Sequence, residues 1–344
     1  MSISPLKPSE LHEFLAKALD ARAPALVYSS PGIGKTSVVG QVCAAAGADC
    51  VLMHPVVSEP IDFRGMPSIS NGKADFIPFN DLNQLLEATK PTACFIDDLG
   101  QATPAVQAAA MQLLLSRRIN GHLVSDQVVF FAATNRRTDR AGVKAFIEPI
   151  KSRFVSMVEL RADMNEWRTW AVNAAIVPEV IAFMNFRPEL LCDFQPTGDL
   201  KNSPTPRGWE NVSRILTFGL SANVELAAIQ GAVGEGAGTE FFAFRTFWAN
   251  MVSPDLVLTT PDTADIPTEP SALCALATGL AWRVGKDSMT NYCRYLERLC
   301  GDNKGEFAAL SIKTSLARDA QLSNTPGYVR AMAGQLGQVM LAAA

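Results

Sequence analysis

The chain has 344 residues, with 30 Lys+Arg against 34 Asp+Glu and a net charge of −4. Apolar residues make up 48% and charged residues 19%, a composition that fills a core and excludes a wholly disordered chain. The mildly acidic balance lacks the overall electrostatic footprint of a duplex-DNA binder, while leaving room for a local basic strip.

The length predicts about two domains. No apolar run approaches the ~18 residues that span a bilayer, so no membrane insertion is expected. The opening MSISPLKPSE has no apolar signal region, and export is not expected either. The cysteines are Cys43, Cys50, Cys94, Cys192, Cys274, Cys293 and Cys300, with no C-x-x-C pair. They read as reduced thiols of a cytoplasmic protein. The only histidines, His12, His54 and His122, are too few and too dispersed for a zinc site or a His-based triad.

In chain order, residues Ser9 to Asp20 read as a helix, with Leu11, Phe14, Leu15 and Leu19 on one face. Four short apolar runs follow: Ala25 to Tyr28, Cys50 to Met53, Ala93 to Ile96 and Val128 to Ala133. A weaker fifth runs from Val155 to Leu160. They are continuous instead of alternating, as strands buried on both faces are, and helical patterns separate them. Between the second and third, Asn71-Gly72 predicts a hairpin turn. Thr103 and Pro104 open a helix to about Arg118, with Val106, Ala110, Leu113 and Leu114 inward. Alternating strands and helices predict an α/β domain with a parallel sheet.

After about Ala162 the strand signal stops. Trp167, Trp170, Ala171 and Ala174 recur at helical spacing. Pro178 to Phe194 reads as helical, interrupted at Pro188. Thr205-Pro206 opens another helix, with Trp209, Val212 and Leu216 on one stripe. Gly234-Glu235-Gly236-Ala237-Gly238 reads as a helix break, and the tryptophans as core. The proline-rich stretch 252–270 reads as an extended linker. From Ser271 the pattern is helical again, with Leu273, Leu276 and Leu280 as a core stripe.

The strongest motif is Ser29-Ser30-Pro31-Gly32-Ile33-Gly34-Lys35-Thr36, followed by Ser37. It follows a strand and opens a helix, the context a phosphate-binding loop requires. Ser29 stands where the usual pattern has Gly. Gly32 and Gly34 let the backbone turn tightly and aim its N–H groups inward, and the helix N-terminus adds partial positive charge. Lys35 has the length to reach β- and γ-phosphates, and the Thr36 hydroxyl is a Mg²⁺ ligand. The second motif is Phe95-Ile96-Asp97-Asp98. A carboxylate ending a buried strand can hold Mg²⁺, the role assigned to Asp97. Asp98 is then the base for an attacking water, or alternatively a turn cap. Many comparable sites carry Glu there, and the shorter Asp reaches about 1.5 Å less, where errors near 1 Å can cost ~10²-fold in rate.

Together these motifs resemble the AAA+ ATPases and, within them, the MoxR-like ATPases, over about Ser9 to Leu220. Asp62-Phe63-Arg64-Gly65-Met66-Pro67 looks like the D-x-x-G-x-P element of that group. The resemblance implies an AAA+ P-loop α/β domain with a parallel sheet and flanking helices (1–161) and a helical lid (162–251); the residue pattern adds a linker (252–270) and a C-terminal helical region (271–344). It implies ATP and Mg²⁺ as ligands, held by 30–37 and by Thr36 and Asp97. Asn135, ending the fourth strand, matches the polar sensor. Arg153 in Ser152-Arg153-Phe154 matches the arginine finger that contacts ATP of a neighbouring subunit, with Arg136, Arg137 and Arg140 as competitors. Arg207 in Pro206-Arg207 matches the second sensor of the lid. A homo-oligomeric ring, six subunits by resemblance, would then hydrolyse ATP to remodel a protein client, with a von Willebrand factor A domain partner expected by analogy. The alternatives are an AAA+ nucleic-acid motor or loader, favoured by Arg117, Arg118, Arg136, Arg137 and Arg140, and a nucleotide-gated scaffold with little turnover. The segment Arg117 to His122 reads either as a pore-facing loop or as a solvated turn.

Overall fold

The computed structural model describes residues 4–70, 73–139, 148–250 and 253–342. Contacts divide the chain into two compact units, Met1–Asp163 with Phe194–Asp199, and Met164–Asp193 with Leu200–Ala344.

The first unit begins with helix α1 (Pro8–Asp20), followed by strand β1 (Ala25–Ser29), helix α2 (Lys35–Ala45) and strand β2 (Asp49–Met53). A hairpin of β3 (Met66–Ser70) and β4 (Lys73–Ile77) precedes helix α3 (Asn80–Glu87), strand β5 (Thr92–Ile96) and helix α4 (Pro104–Ser116). Strands β6 (Arg118–Ile119) and β7 (His122–Leu123) form a second hairpin. Strand β8 (Val128–Asn135), helix α5 (Glu148–Lys151) and strand β9 (Ser156–Glu159) complete the unit. The five apolar runs are the five strands of one parallel sheet in the order β2-β5-β8-β1-β9.

Successive strand residues point to opposite faces, and both faces are covered. Leu26, Cys94 and Phe130 pack with Leu82 and Leu85 of α3 and Val106 and Leu113 of α4. Their neighbours Val27, Phe95 and Phe131 pack with Leu11 and Leu15 of α1 and Val38, Val39 and Val42 of α2. Burial on both faces holds for the inner strands β5 and β8, every residue of which is buried. It fails at the rims: β2 and β9, the two strands that end the sheet, expose Leu52 and Met157.

The β3–β4 hairpin forms as expected, while its turn residues Asn71 and Gly72 lie outside the described residues. Gly65 ahead of it is obligatory. It has φ +99°, and a Cβ there would lie 2.3 Å from the Ile77 carbonyl oxygen. In the D-x-x-G-x-P element, Asp62 accepts from the Glu59 amide at 2.8 Å and Phe63 is buried. Arg117 to His122 is the β6–β7 hairpin, turned by Asn120 and Gly121 at positive φ. Arg117 is not part of an open basic strip. Its guanidinium donates to the carbonyls of Ser125 and Val128 and lies 5.5 Å over the Phe130 ring.

The second unit is helical: α6 (Met164–Asn173), α7 (Pro178–Phe186), α8 (Pro206–Ile215), α9 (Ala222–Val233), α10 (Glu235–Asn250), α11 (Pro254–Thr259), α12 (Pro270–Arg283), α13 (Met289–Gly301), α14 (Gly305–Arg318), α15 (Pro326–Met332) and α16 (Gln335–Ala342). Phe183, Trp209, Phe241 and Phe244 form an aromatic core among α7, α8 and α10. Helix α12 packs on both α7 and α14, so the helices before and after the proline-rich stretch share one body. That stretch is not an extended linker throughout. It carries α11, and Val257, Leu258 and Ala264 enter the core with Leu273, Leu276 and Leu280. Proline at the first helical turn costs nothing there, which is why Pro254 starts a helix where composition predicts none. Among the tryptophans, Trp167 and Trp209 are buried, whereas Trp170 and Trp282 are only partly so. Among the described residues no helix is long and apolar enough to cross a membrane.

Candidate active site

Strand β8 lies between β1 and β5, and its register sets the site. Ser29 pairs with Asn135, while Ile96, the last residue of β5, pairs with Ala132. Asn135 therefore stands above the sheet, with the loop after β1 on one side and Asp97-Asp98 on the other.

The loop Ser29 to Gly34 turns through Gly32 at φ +76° and Gly34 at φ +113°, backbone that an L side chain rarely adopts. Helix α2 then starts at Lys35, with its N-terminus at the loop. Lys35 is buried and its ammonium donates to Asn135 Oδ1 at 2.7 Å and to Ser29 Oγ at 3.2 Å. The departure at Ser29 is thus accommodated. The hydroxyl turns inward, accepts from Lys35 and donates to the Ser30 carbonyl at 2.8 Å.

Thr36 Oγ1 donates to Asp97 Oδ2 at 2.7 Å, and the other Asp97 oxygen accepts the Asp98 amide at 3.0 Å. A hydroxyl and a carboxylate in contact can share one hard cation, directly or through water. Two oxygens do not make a full Mg²⁺ shell. The residues fit an ion that arrives with phosphate oxygens, the usual arrangement for this metal.

Asp98 Oδ1 accepts from Gln101 Nε2 at 2.8 Å and from Asn135 Nδ2 at 3.3 Å. Lys35, Asn135 and Asp98 thus form one chain of contacts, with Thr36 and Asp97 beside it. Ser30, Pro31, Gly32, Ile33 and Ser37 fall in or just after the loop, Ser30 buried and Ser37 exposed.

The arginines separate by position. Arg136 is bound to its own loop. Its amide donates to the Ser29 carbonyl at 3.1 Å, its Nη1 donates to Ser30 Oγ at 3.2 Å, and its guanidinium pairs with Glu159 of β9. Tyr28 donates to the same carboxylate. Burial, and then the Glu159 charge, raise the Tyr28 hydroxyl above its ordinary range, keeping it a donor. Arg137 is exposed, and Arg140 lies outside the described residues. Arg153 precedes β9, where Val155 N donates to the carbonyl of Pro24, just ahead of β1. It therefore sits at the end of the sheet opposite the phosphate loop, a strand length of roughly 17 Å away. Its Nε is buried and has no partner among the described residues. Arg207 is the second residue of α8 in the helical unit, exposed, on a helix capped by Thr205 Oγ1 accepting from Gly208 N at 3.0 Å.

Sequence reasoning did not find Gln101, nor the Tyr28–Glu159–Arg136 chain. A glutamine three residues after Asp98 is a legible signal, since one tight turn brings such positions together. Glu159 carries no signal, because only strand pairing places it beside Arg136. Among the described residues no group of three or more His, Cys, Asp or Glu side chains could hold a metal by themselves.

Residues 25–162 match the family described as ATPase family associated with various cellular activities (AAA). No curated protein matches the chain at a significant level. Solved structures of Thermotoga maritima RuvB are similar at low identity. Two variants share 14% and 15% identity with TM-scores of 0.40 and 0.39, each covering 84% of this chain and 87% of that one. A third, the RuvB Holliday junction branch migration motor, shares 13% at a TM-score of 0.36, covering 95% of this chain and 86% of that one. Likeness at this level leaves activity to be read from the site itself.

Proposed function

We propose, from the premise that residues 25–162 are an AAA ATPase domain that hydrolyses ATP, that the chain works as a ring in which neighbouring copies complete each other's sites. The observation that carries this reading is the position of Arg153. It lies a strand length from the loop of its own chain, out of reach of phosphates bound there, which supports a finger presented by a second copy. A guanidinium brought to the γ-phosphate stabilises developing charge, an effect worth ~10³–10⁵ in rate in comparable systems.

Within one copy, the loop amides and the α2 N-terminus receive the phosphates. Lys35 exchanges its Asn135 and Ser29 acceptors for phosphate oxygens, which frees the Asn135 amide to orient water. Asp98 takes the proton from that water. Mg²⁺, held by Thr36 and Asp97 together with the phosphates, would neutralise charge on them. By resemblance, Arg207 is the second sensor. By resemblance to MoxR-like ATPases, the cycle remodels a protein client or assembly in the cytoplasm, with a von Willebrand factor A domain partner.

The test is size and turnover together. The purified chain is sized with and without ATP, and the hydrolysis rate per chain is followed against concentration. The rate per chain should climb as rings assemble. A rate independent of concentration down to the monomer range removes the shared site.

A further inference from the structure

Asp98 has an unusual backbone for an L residue, φ +54° and ψ +32°, and opens a short 3-10 turn, Leu99–Gln101. The turn closes with the Gln101 amide donating to the Asp98 carbonyl at 2.9 Å. This folds the Gln101 side chain back over the Asp98 carboxylate, where Nε2 donates to Oδ1 at 2.8 Å. Gln101 Oε1 lies 3.5 Å from Thr134 Oγ1 of strand β8, whose hydroxyl has its shorter acceptor, at 3.2 Å, in the Asn135 carbonyl. Both amides that reach Asp98, from Gln101 and Asn135, converge on Oδ1. Among the described residues Oδ2 receives no donor, and it is the oxygen available to water.

The two amides differ in what else they hold. Asn135 is shared with Lys35 through its own oxygen, at 2.7 Å. Whatever draws Lys35 away also loosens Asn135. Gln101 has no such tie. We infer that Gln101 is the positioning residue for Asp98. It fixes the short carboxylate with Oδ2 toward the reacting water while Asn135, released by Lys35, turns to that water. The inference rests on the reading of Asp98 as the base. It gives a half-buried glutamine outside both sequence motifs a part in the rate.

The experiment uses the full chain with ATP and Mg²⁺, and four proteins: native, Gln101→Met, Asp98→Asn and the double variant. Methionine keeps the side-chain length and removes the donor. Turnover, KM, affinity for a non-hydrolysable ATP analogue and melting temperature are measured for each. Loss of one charge-assisted hydrogen bond made to the base should lower kcat about tenfold. KM and analogue affinity should stay within about twofold, the pattern of a contact that acts in the chemical step. On the Asp98→Asn background, single-turnover hydrolysis should show no further loss, since a residue that works through Asp98 has nothing left to position. An unchanged kcat in Gln101→Met, an equal loss on both backgrounds, or a parallel loss of affinity overturns the inference. Full activity in Asp98→Asn removes the base itself and the inference with it, a result separable from an inactive Asp98→Asn beside a silent Gln101→Met. Should Gln101→Met fail to fold, Gln101→Ala is read by the same criteria.

Discussion

The two units bury polar groups to opposite ends. In the α/β unit, Lys35, Asp97 and Asn135 are buried, Lys35 bonded to Asn135 and Asp97 to Thr36, but all at one end of the sheet, beside a loop built to receive phosphate. In the helical unit, Tyr292 donates to Ser311 Oγ at 2.8 Å, and Ser311 passes the bond to the Ala277 carbonyl at 2.7 Å. Burial pushes the Tyr292 hydroxyl well above its ordinary range, so it remains a donor. Arg318 closes the end of α12 by donating to the carbonyls of Trp282 and Val284. These groups answer one another inside the fold. The difference separates chemistry from architecture: convergence on one exposed edge marks function, whereas closure between helices marks stability.

Four measurements test that separation. Lys35→Ala should produce the largest effect, lowering turnover by about 10³-fold or more and weakening nucleotide binding, since it removes the ammonium proposed to meet the phosphates; binding of a fluorescent ATP analogue and phosphate release measure both. Arg153→Ala should cost ~10³ in kcat while leaving analogue affinity intact, and inactive Lys35→Ala chains, which still carry Arg153, should restore part of the rate when mixed in. Intact turnover in Arg153→Ala would move the finger elsewhere. In the helical unit, Tyr292→Phe should cost about 1–2 kcal/mol of stability in a melting or denaturant experiment, because a buried hydroxyl network is opened, with kcat per folded chain unchanged. A fall in kcat there would blur the line between the units.

The smallest effect is one of reactivity. Cys50 is exposed, and the Cys43 thiol donates to it, which lowers its pKa to about 7 against a weaker opposing push from burial. Cys43 is raised in turn. A lowered thiol pKa means more thiolate at neutral pH. Alkylation of Cys50 should therefore rise through pH 7 and level off above it. Cys94, Cys274 and Cys293, which burial raises, should stay inert until the chain is unfolded. Mass mapping after a timed alkylation at several pH values reads this directly.

Most of the α/β unit was legible because its signals are local. Continuous apolar runs mark inner strands, Thr103-Pro104 and Thr205-Pro206 mark helix starts, and glycines before Lys35 mark the loop. What escaped depends on pairing across the sheet. The Glu159–Arg136 contact exists because β9 lies beside β1 and β8 lies on its other side, an order that no spacing encodes. Arg136 reads in sequence as one of a basic cluster and a competitor for the finger, and only the fold shows it bound to Ser30. The stretch 252–270 misled for a different reason. Its prolines signal breaks, yet Pro254 and Pro270 each occupy the first position of a helix, where proline is well tolerated. Arg153 was legible as a residue and not as a distance, since its separation from Lys35 follows from strand direction alone.

One consequence follows from β8, whose residues are all buried and whose tip carries Asn135. Its near end is pinned by the Arg117 clamp on the Val128 carbonyl. The strand acts as a ruler laid through the greasy centre of the domain, and the height of the Asn135 amide is read off its length. Enlarging or trimming an aliphatic or aromatic side chain along it, Val129 or Phe131 among them, would misplace an amide several residues away. A screen that scores only lost hydrolysis should therefore return oily interior positions beside the ionisable ones.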